Sequence, residues 1–208
     1  MTTSRLVHVA ATALVAALAA GCASAQSRFY TLDSTASPTA ASATHVAVAV
    51  WPVSVPASVD QPQFVVQVAS NRVDVDEFNR WASPLNESIA RALAGDLSSE
   101  LGTPDVTSAP LANFKPDYRV AVDVQRFESV RGQAATIEAV WVVHKIASGQ
   151  TRSGRTIARE PVQGDGFDEL AAAHSHALEK ISGDIAAAIR AQAEDQAPPE
   201  RGVRGPTE

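Results

Sequence analysis

A single cysteine and a single methionine stand in 208 residues, and aromatic side chains make up only 5% of them. A lone cysteine has no internal disulfide partner, so no disulfide framework holds this chain. The chain has no glycine-rich phosphate loop ahead of a Lys-Ser or Lys-Thr pair, no Gly-x-Ser-x-Gly elbow and no His-Glu-x-x-His helix. Histidines are few and scattered. His174 and His176 lie two apart, so on a helix they point in different directions and cannot chelate one ion. Without such a constellation the chain is not expected to be an enzyme, and neither a metal nor a cofactor is expected. Basic residues are too few to suggest nucleic acid: 17 Lys and Arg face 23 Asp and Glu, a net charge of −6. A membrane-spanning run is also missing. Val9 to Gly21 is 13 residues, roughly 20 Å as a helix, against a hydrocarbon core of about 30 Å.

What that short greasy run does carry is Leu18-Ala19-Ala20-Gly21-Cys22, followed by a polar stretch rich in small residues. This is the arrangement of a bacterial lipoprotein signal, with small Ala20 and Gly21 ahead of the cysteine to be acylated. Ala19 stands where leucine is commoner. The competing reading is an ordinary secretory signal cut near Ala23-Ser24-Ala25, which would leave a free thiol in an oxidising compartment. On the lipoprotein reading Cys22 carries covalent lipid, with enough chains to hold the protein stably on a membrane. Loss of Arg5 with the signal takes the net charge to −7.

The rest divides by composition. Residues 1–21 are the signal, and 22–44 the lipid anchor and a flexible tether rich in Ala, Ser and Thr. Residues 45–193 form one domain, and 194–208 a disordered, proline-containing tail. Within the tether, Phe29-Tyr30-Thr31-Leu32 is apolar enough to dock as a first edge strand. From His45 onward valines alternate with Ala47, Ala49 and Trp51, which predicts a strand. Pro52 and Pro56 predict a bend or an edge after it. Residues 64–68 and 72–76 predict a hairpin turning at Ser70-Asn71, with Val73 and Val75 inward and Arg72, Asp74 and Asp76 on a solvated face. Asp74 and Asp76 as a metal or catalytic pair is the weaker reading, since no further ligand sits at a useful spacing.

Ser83 is the predicted N-cap and Pro84 the first residue of a helix with Leu85, Ile89, Leu93, Leu97 and Leu101 on one face, ended by Gly102 and Pro104. Trp81 packs at its start. A short strand is read at Asp105-Val106-Thr107. Three long strands follow (118–130, 134–146, 151–162), a meander at the centre of the sheet, with Arg152, Arg155 and Arg159 read as a charged solvent face. Phe167 opens a last helix with Leu170, Ala173, Ala177, Leu178, Ile181, Ile185 and Ile189 inward. The fold class is therefore α+β: an antiparallel or mixed β-sheet with two amphipathic helices packed on one face, preceded by the lipidated tether.

These features together resemble the ABC-type transport auxiliary lipoprotein family, the PqiC-like proteins. The resemblance rests on the lipobox at Cys22, Phe29-Tyr30-Thr31-Leu32, Val53-Ser54-Val55-Pro56 and Asn79 with Trp81-Ala82-Ser83-Pro84-Leu85. It continues through Tyr118 to Val124 with Phe127, Trp141, and Gly166-Phe167-Asp168-Glu169-Leu170. Ala57-Ser58-Val59 departs from the family's usual Tyr-Leu pair. Trp81, Pro84, Leu85, Trp141 and Phe167 match family positions, and each also has a sufficient structural explanation. The resemblance implies an outer-membrane lipoprotein facing the periplasm. Its partners would be an MCE-domain protein, which forms a hydrophobic lipid tunnel, and an inner-membrane permease or ABC transporter. The lipoprotein itself would form a ring-like homo-oligomer. Ala23 rather than Asp after Cys22 fits outer-membrane sorting. Two other readings stay open: a structural or assembly lipoprotein of the envelope without lipid cargo, and a lipid carrier with its own pocket.

Overall fold

The computed structural model describes residues 26–38, 45–109 and 111–194, so Cys22 and the proline-containing tail lie outside the described residues. In chain order the elements are β1 (Arg28–Tyr30), β2 (Val48–Ser54), β3 (Gln63–Ala69), β4 (Arg72–Trp81), α1 (Leu85–Leu101), β5 (Val106–Thr107), β6 (Tyr118–Val130), β7 (Ala134–Lys145), β8 (Thr151–Pro161) and α2 (Phe167–Glu194). The strands form two mixed sheets. Five lie in the order β5-β2-β6-β7-β8 and three in the order β1-β4-β3. The predicted meander is there, antiparallel throughout, but β6 is the central strand and β8 an edge. β2 runs parallel to both β5 and β6.

Both helices lie on one face of the five-stranded sheet, α1 against β2 and β5, α2 against β7 and β8. Period two decides which side chains meet them. Tyr118, Val120, Val122 and Val124 of β6, and Ile137, Ala139, Trp141 and Val143 of β7, are buried. Leu85, Ile89, Leu93, Leu97 and Leu101 answer from α1, and all seven predicted positions of α2 are buried too. Each such aliphatic side chain contributes about 1.5–3 kcal/mol by leaving water. Gly154 lies opposite Trp141, and a Cβ there would come within 2.2 Å of the indole, so the ring needs a residue without a side chain beside it.

The helix start differs from expectation. Pro84, not Ser83, takes the cap position, with φ −48° and ψ 134° and no side-chain cap. Its fixed φ suits an extended lead-in as well as a first turn, and its carbonyl accepts the Ser88 N–H at 3.0 Å. Gly102 ends the helix in the left-handed region at φ 63°, as expected. The bend predicted by Pro52 is a shift of register between Val50 and Val53. β5 covers only Val48 and Ala49, so Trp51 and Pro52 are free of a second neighbour on that side.

On β4 the solvated face holds, with Arg72 and Asp74 exposed, but the inward placement of the valines fails. Val73 and Val75 are 50% and 38% exposed, and Val73 lines an open hollow opposite Gln125 to Ser129 of β6. Of the three arginines read as one solvent face, Arg155 and Arg159 share the open face of β8, while alternation puts Arg152 on the other side.

The molecule has two ends. Arg131, in the β6–β7 turn, donates to the Asp165 carbonyl at 2.8 Å and lies over the Phe167 ring at the start of α2. The β3–β4 turn faces that same β6–β7 turn across a shallow hollow. At the other end Lys145 donates to the Gln192 carbonyl at 3.1 Å, and Thr103 to the Val46 carbonyl at 3.1 Å. The two helices run in the same direction between these ends, with Asp96 near Ser182 and Glu100 near Arg190.

Candidate functional site

Of the residues singled out from the sequence, Cys22 lies outside the described residues, Pro84 is exposed at the start of α1, and Trp81, Leu85, Trp141 and Phe167 are core. Trp81 stacks on Phe64 with centroids 4.3 Å apart, and Phe167 meets the same ring edge-on at 5.1 Å. Tyr30 and Phe127 complete this aromatic cluster, so the structure joins Trp81 and Phe167 through Phe64. Leu85 is buried beside it at the start of α1. Trp141 sits elsewhere, its Nε1–H donating to Thr156 Oγ1 at 3.0 Å, while that hydroxyl donates to Asp184. Trp81, Leu85, Trp141 and Phe167 are buried and hold the fold together.

Among the buried polar groups, His174 and Asp96 tie separate elements together. His174 is fully buried, stacked on Phe127 at 3.9 Å and hydrogen-bonded through Nε2 to Ser129 at 2.8 Å. Burial lowers its pKa to about 3, so the imidazole is neutral at physiological pH. Asp96 is buried under the N-terminal arm. Its Oδ1 accepts the Ser34 hydroxyl at 2.8 Å, the Thr35 N–H at 2.9 Å and the Ala36 N–H at 3.0 Å, and Oδ2 accepts from Ser182. Burial raises its pKa against the pull of those hydrogen bonds. The docking expected of Phe29 to Leu32 thus extends to Ala36, because Ser34 and Thr35 bring polar partners that a count of apolar residues misses. Asp76 ties the backbone that follows it. Its Oδ1 accepts the Phe78 N–H, the Asn79 N–H and the Asn79 side-chain amide at 2.8–2.9 Å. Burial pushes its carboxyl up, but those bonds and the Arg131 charge outweigh it and the net shift is downward. Among the described residues no group of three His, Cys, Asp or Glu could hold a metal ion.

The surface holds the candidate sites. Trp51 is 49% exposed on the open face of the five-stranded sheet. It separates two shallow grooves, one of about 190 Å³ with Thr107, Leu111, Phe114 and Arg119, the other of about 700 Å³ with Val53, Asn86, Glu87 and Arg91. Sequence reasoning passed over Trp51, though its parity with Ala47 and Ala49, opposite the buried valines, was the signal. On the same open face Arg126 and Arg155 flank Glu138, and hydrogen bonding from Arg155 holds that carboxyl below its usual range. The second exposed surface is the β3–β4 hairpin, with Val68, Val73 and Val75 on its outer half and Phe78 nearer its root. Eleven steps along β6, about 36 Å, separate Arg119 beside the Trp51 grooves from Val130 beside the hairpin turn. No helix among the described residues is long and apolar enough to cross a membrane.

The sequence model of the ABC-type transport auxiliary lipoprotein component matches residues 30–186. Two solved structures are similar. One is a crystal structure of an uncharacterized protein, 24% identical with a TM-score of 0.65, covering 79% of this chain and 99% of that one. The other is a protein of Xanthomonas campestris, 22% identical with a TM-score of 0.65, covering 82% of this chain and all of that one. At such identities the likeness is one of fold. No curated relative matches the sequence.

Proposed function

The chain belongs to the ABC-type transport auxiliary lipoprotein family, and from that premise we propose that it docks a periplasmic lipid tunnel to the outer membrane. Cys22 carries the lipid, and Ala23 after it favours the outer membrane. The tunnel is an MCE-domain protein working with an inner-membrane permease or ABC transporter. The task is geometric, and no step in it makes or breaks a covalent bond.

The observation that carries this reading is a family match spanning β1 to α2 on a body whose prominent exposed tryptophan lies toward the end remote from the β3–β4 turn. An exposed aromatic between two grooves is the kind of anchor that protein partners bury, since tryptophan brings large apolar area at low entropy cost. Trp51 and its grooves are therefore the receiving surface, and the open sheet face beside it the rim. Carbonyls and N–H groups of β2 beyond Ala49 lack a β5 neighbour and offer backbone partners there.

A photocrosslinking residue at Trp51, compared with one at exposed Glu194 in otherwise native cells, tests the reading. Recovery of an MCE-domain protein from position 51 is the expected result. Capture of only peptidoglycan-linked or outer-membrane assembly proteins would replace it with a structural role in the envelope.

A further inference from the structure

Half of the large apolar side chains exposed among the described residues sit on the three-stranded sheet: Phe29, Val68, Val73, Val75 and Phe78. Phe78 is held outward by construction. The register between β3 and β4 jumps at Gln63 and Phe64, leaving Glu77 to Asn79 as a bulge, and the Asp76 carboxylate ties that bulge with three hydrogen bonds. The apolar exposure is thus a fixed feature of a hydrogen-bonded element.

Chain length says what meets it. β1 lies parallel to β4 with Arg28 opposite Asn79. From that pair β4 runs back toward the β3–β4 turn. The chain from Arg28 back to Cys22 is six residues, which spans at most about 20–22 Å. β4 from Asn79 back to Arg72 is seven residues, about 23 Å at strand rise and somewhat less for its bulge. A cysteine on so short a link extends no further than the hairpin does. Nor does the link wrap to the far end, since a body of this length has a radius of gyration of about 15 Å.

Resting on the lipidation of Cys22 proposed above, we infer that the β3–β4 hairpin is seated on the lipid surface that holds the anchor. Val73, Val75 and Phe78 lie at the boundary of headgroups and acyl chains, and Phe29 flanks them. The seat is interfacial, because an open hairpin carries unpaired edge groups that hydrocarbon does not tolerate. Arg72 at the turn reaches headgroup phosphates. The seat fixes tilt: it turns the Trp51 end away from the bilayer.

The test uses full-length protein purified from membranes, in which the acylated Cys22 thiol is blocked. Val73→Cys, Phe78→Cys and, at the far end, Ser148→Cys each carry one environment-sensitive dye, and all three positions are exposed, so the fold is retained. The proteins are reconstituted in phosphatidylethanolamine–phosphatidylglycerol vesicles containing lipids with a quencher near the headgroup. Quenching at 73 and 78 and none at 148 is the expected result. Acylated protein with 73 and 78 as unquenched as 148 overturns the seat alone. Dyes shielded from water yet unquenched mean that protein covers the hairpin, which overturns it as well. Absence of acyl groups on Cys22 by mass spectrometry removes the anchor reading and this inference together.

Discussion

Two regions built from similar valine-rich strands end up in different surroundings. On β6, every second residue from Tyr118 to Val124 is buried against helices. On the β3–β4 hairpin the same alternation is written in the sequence, yet only the root is covered. Phe64, Val65 and Val66 are buried, and Val68, Val73 and Val75 are not. Alternation marks a strand with two faces; whether either face finds a cover is settled by elements far away in the chain. The five-stranded body therefore supplies stability, and the outer hairpin supplies surface.

Mutation should separate the two. Leu93→Ala, at a fully buried position of α1, is expected to cost about 3–5 kcal/mol. A urea midpoint close to that of the parent protein would mean that the helical layer is not the body's main support. Next in size is Asp96→Ala, which leaves the arm's two N–H groups and the Ser34 hydroxyl without their acceptor. About 2–3 kcal/mol should be lost, with faster proteolysis within residues 26–38. Unchanged cleavage would show that β1 pairing alone holds the arm.

Acid should act on the body through His174. Its folded pKa of about 3 lies below the usual 6.5, so the unfolded chain binds a proton that the folded one excludes. Stability is full above about pH 6.5 and falls as pH drops toward 3, by at most about 1.4 kcal/mol per pH unit from this residue. Asp96, with its pKa raised above 3.8, works in the opposite sense just above that value, so Asp96→Asn should leave the His174 slope steeper there. A flat profile of urea midpoints from pH 7 to 4 in that variant would contradict the burial of a neutral ring. The smallest effect belongs to the hairpin. Val73→Ser and Phe78→Ser should each change stability by no more than about 0.5 kcal/mol, since both side chains already meet solvent. A loss near that of Leu93→Ala would mean that the hairpin is part of the core after all.

Local pattern told most where local pattern is what matters. The stripes of α1 and α2, the Gly102 stop and the hairpin turns at Ser70-Asn71 and Arg131-Gly132-Gln133 follow from periods and backbone preferences within a few residues. The division into two sheets did not, because β1 finds β4 some fifty positions away and β2 finds β6 some seventy away. Pro84 was misplaced by one because a proline φ fits a cap as well as a first turn. Of the candidate surfaces, Trp51 was readable from strand parity. The hairpin was not, since an uncovered valine has the same sequence signature as a buried one.

The arm has a mechanical consequence. A pull that reaches the domain from its N-terminal side runs along the axis of β1, which lies parallel to β4 over three register pairs. Such a load strains those pairs together, in shear, whereas a peeling load would break them one at a time. Behind them, in series, stand the Asp96 carboxylate and its grip on Ser34, Thr35 and Ala36. The body is thus fastened by a joint suited to tension, and a tug on it passes directly into the pair of helices.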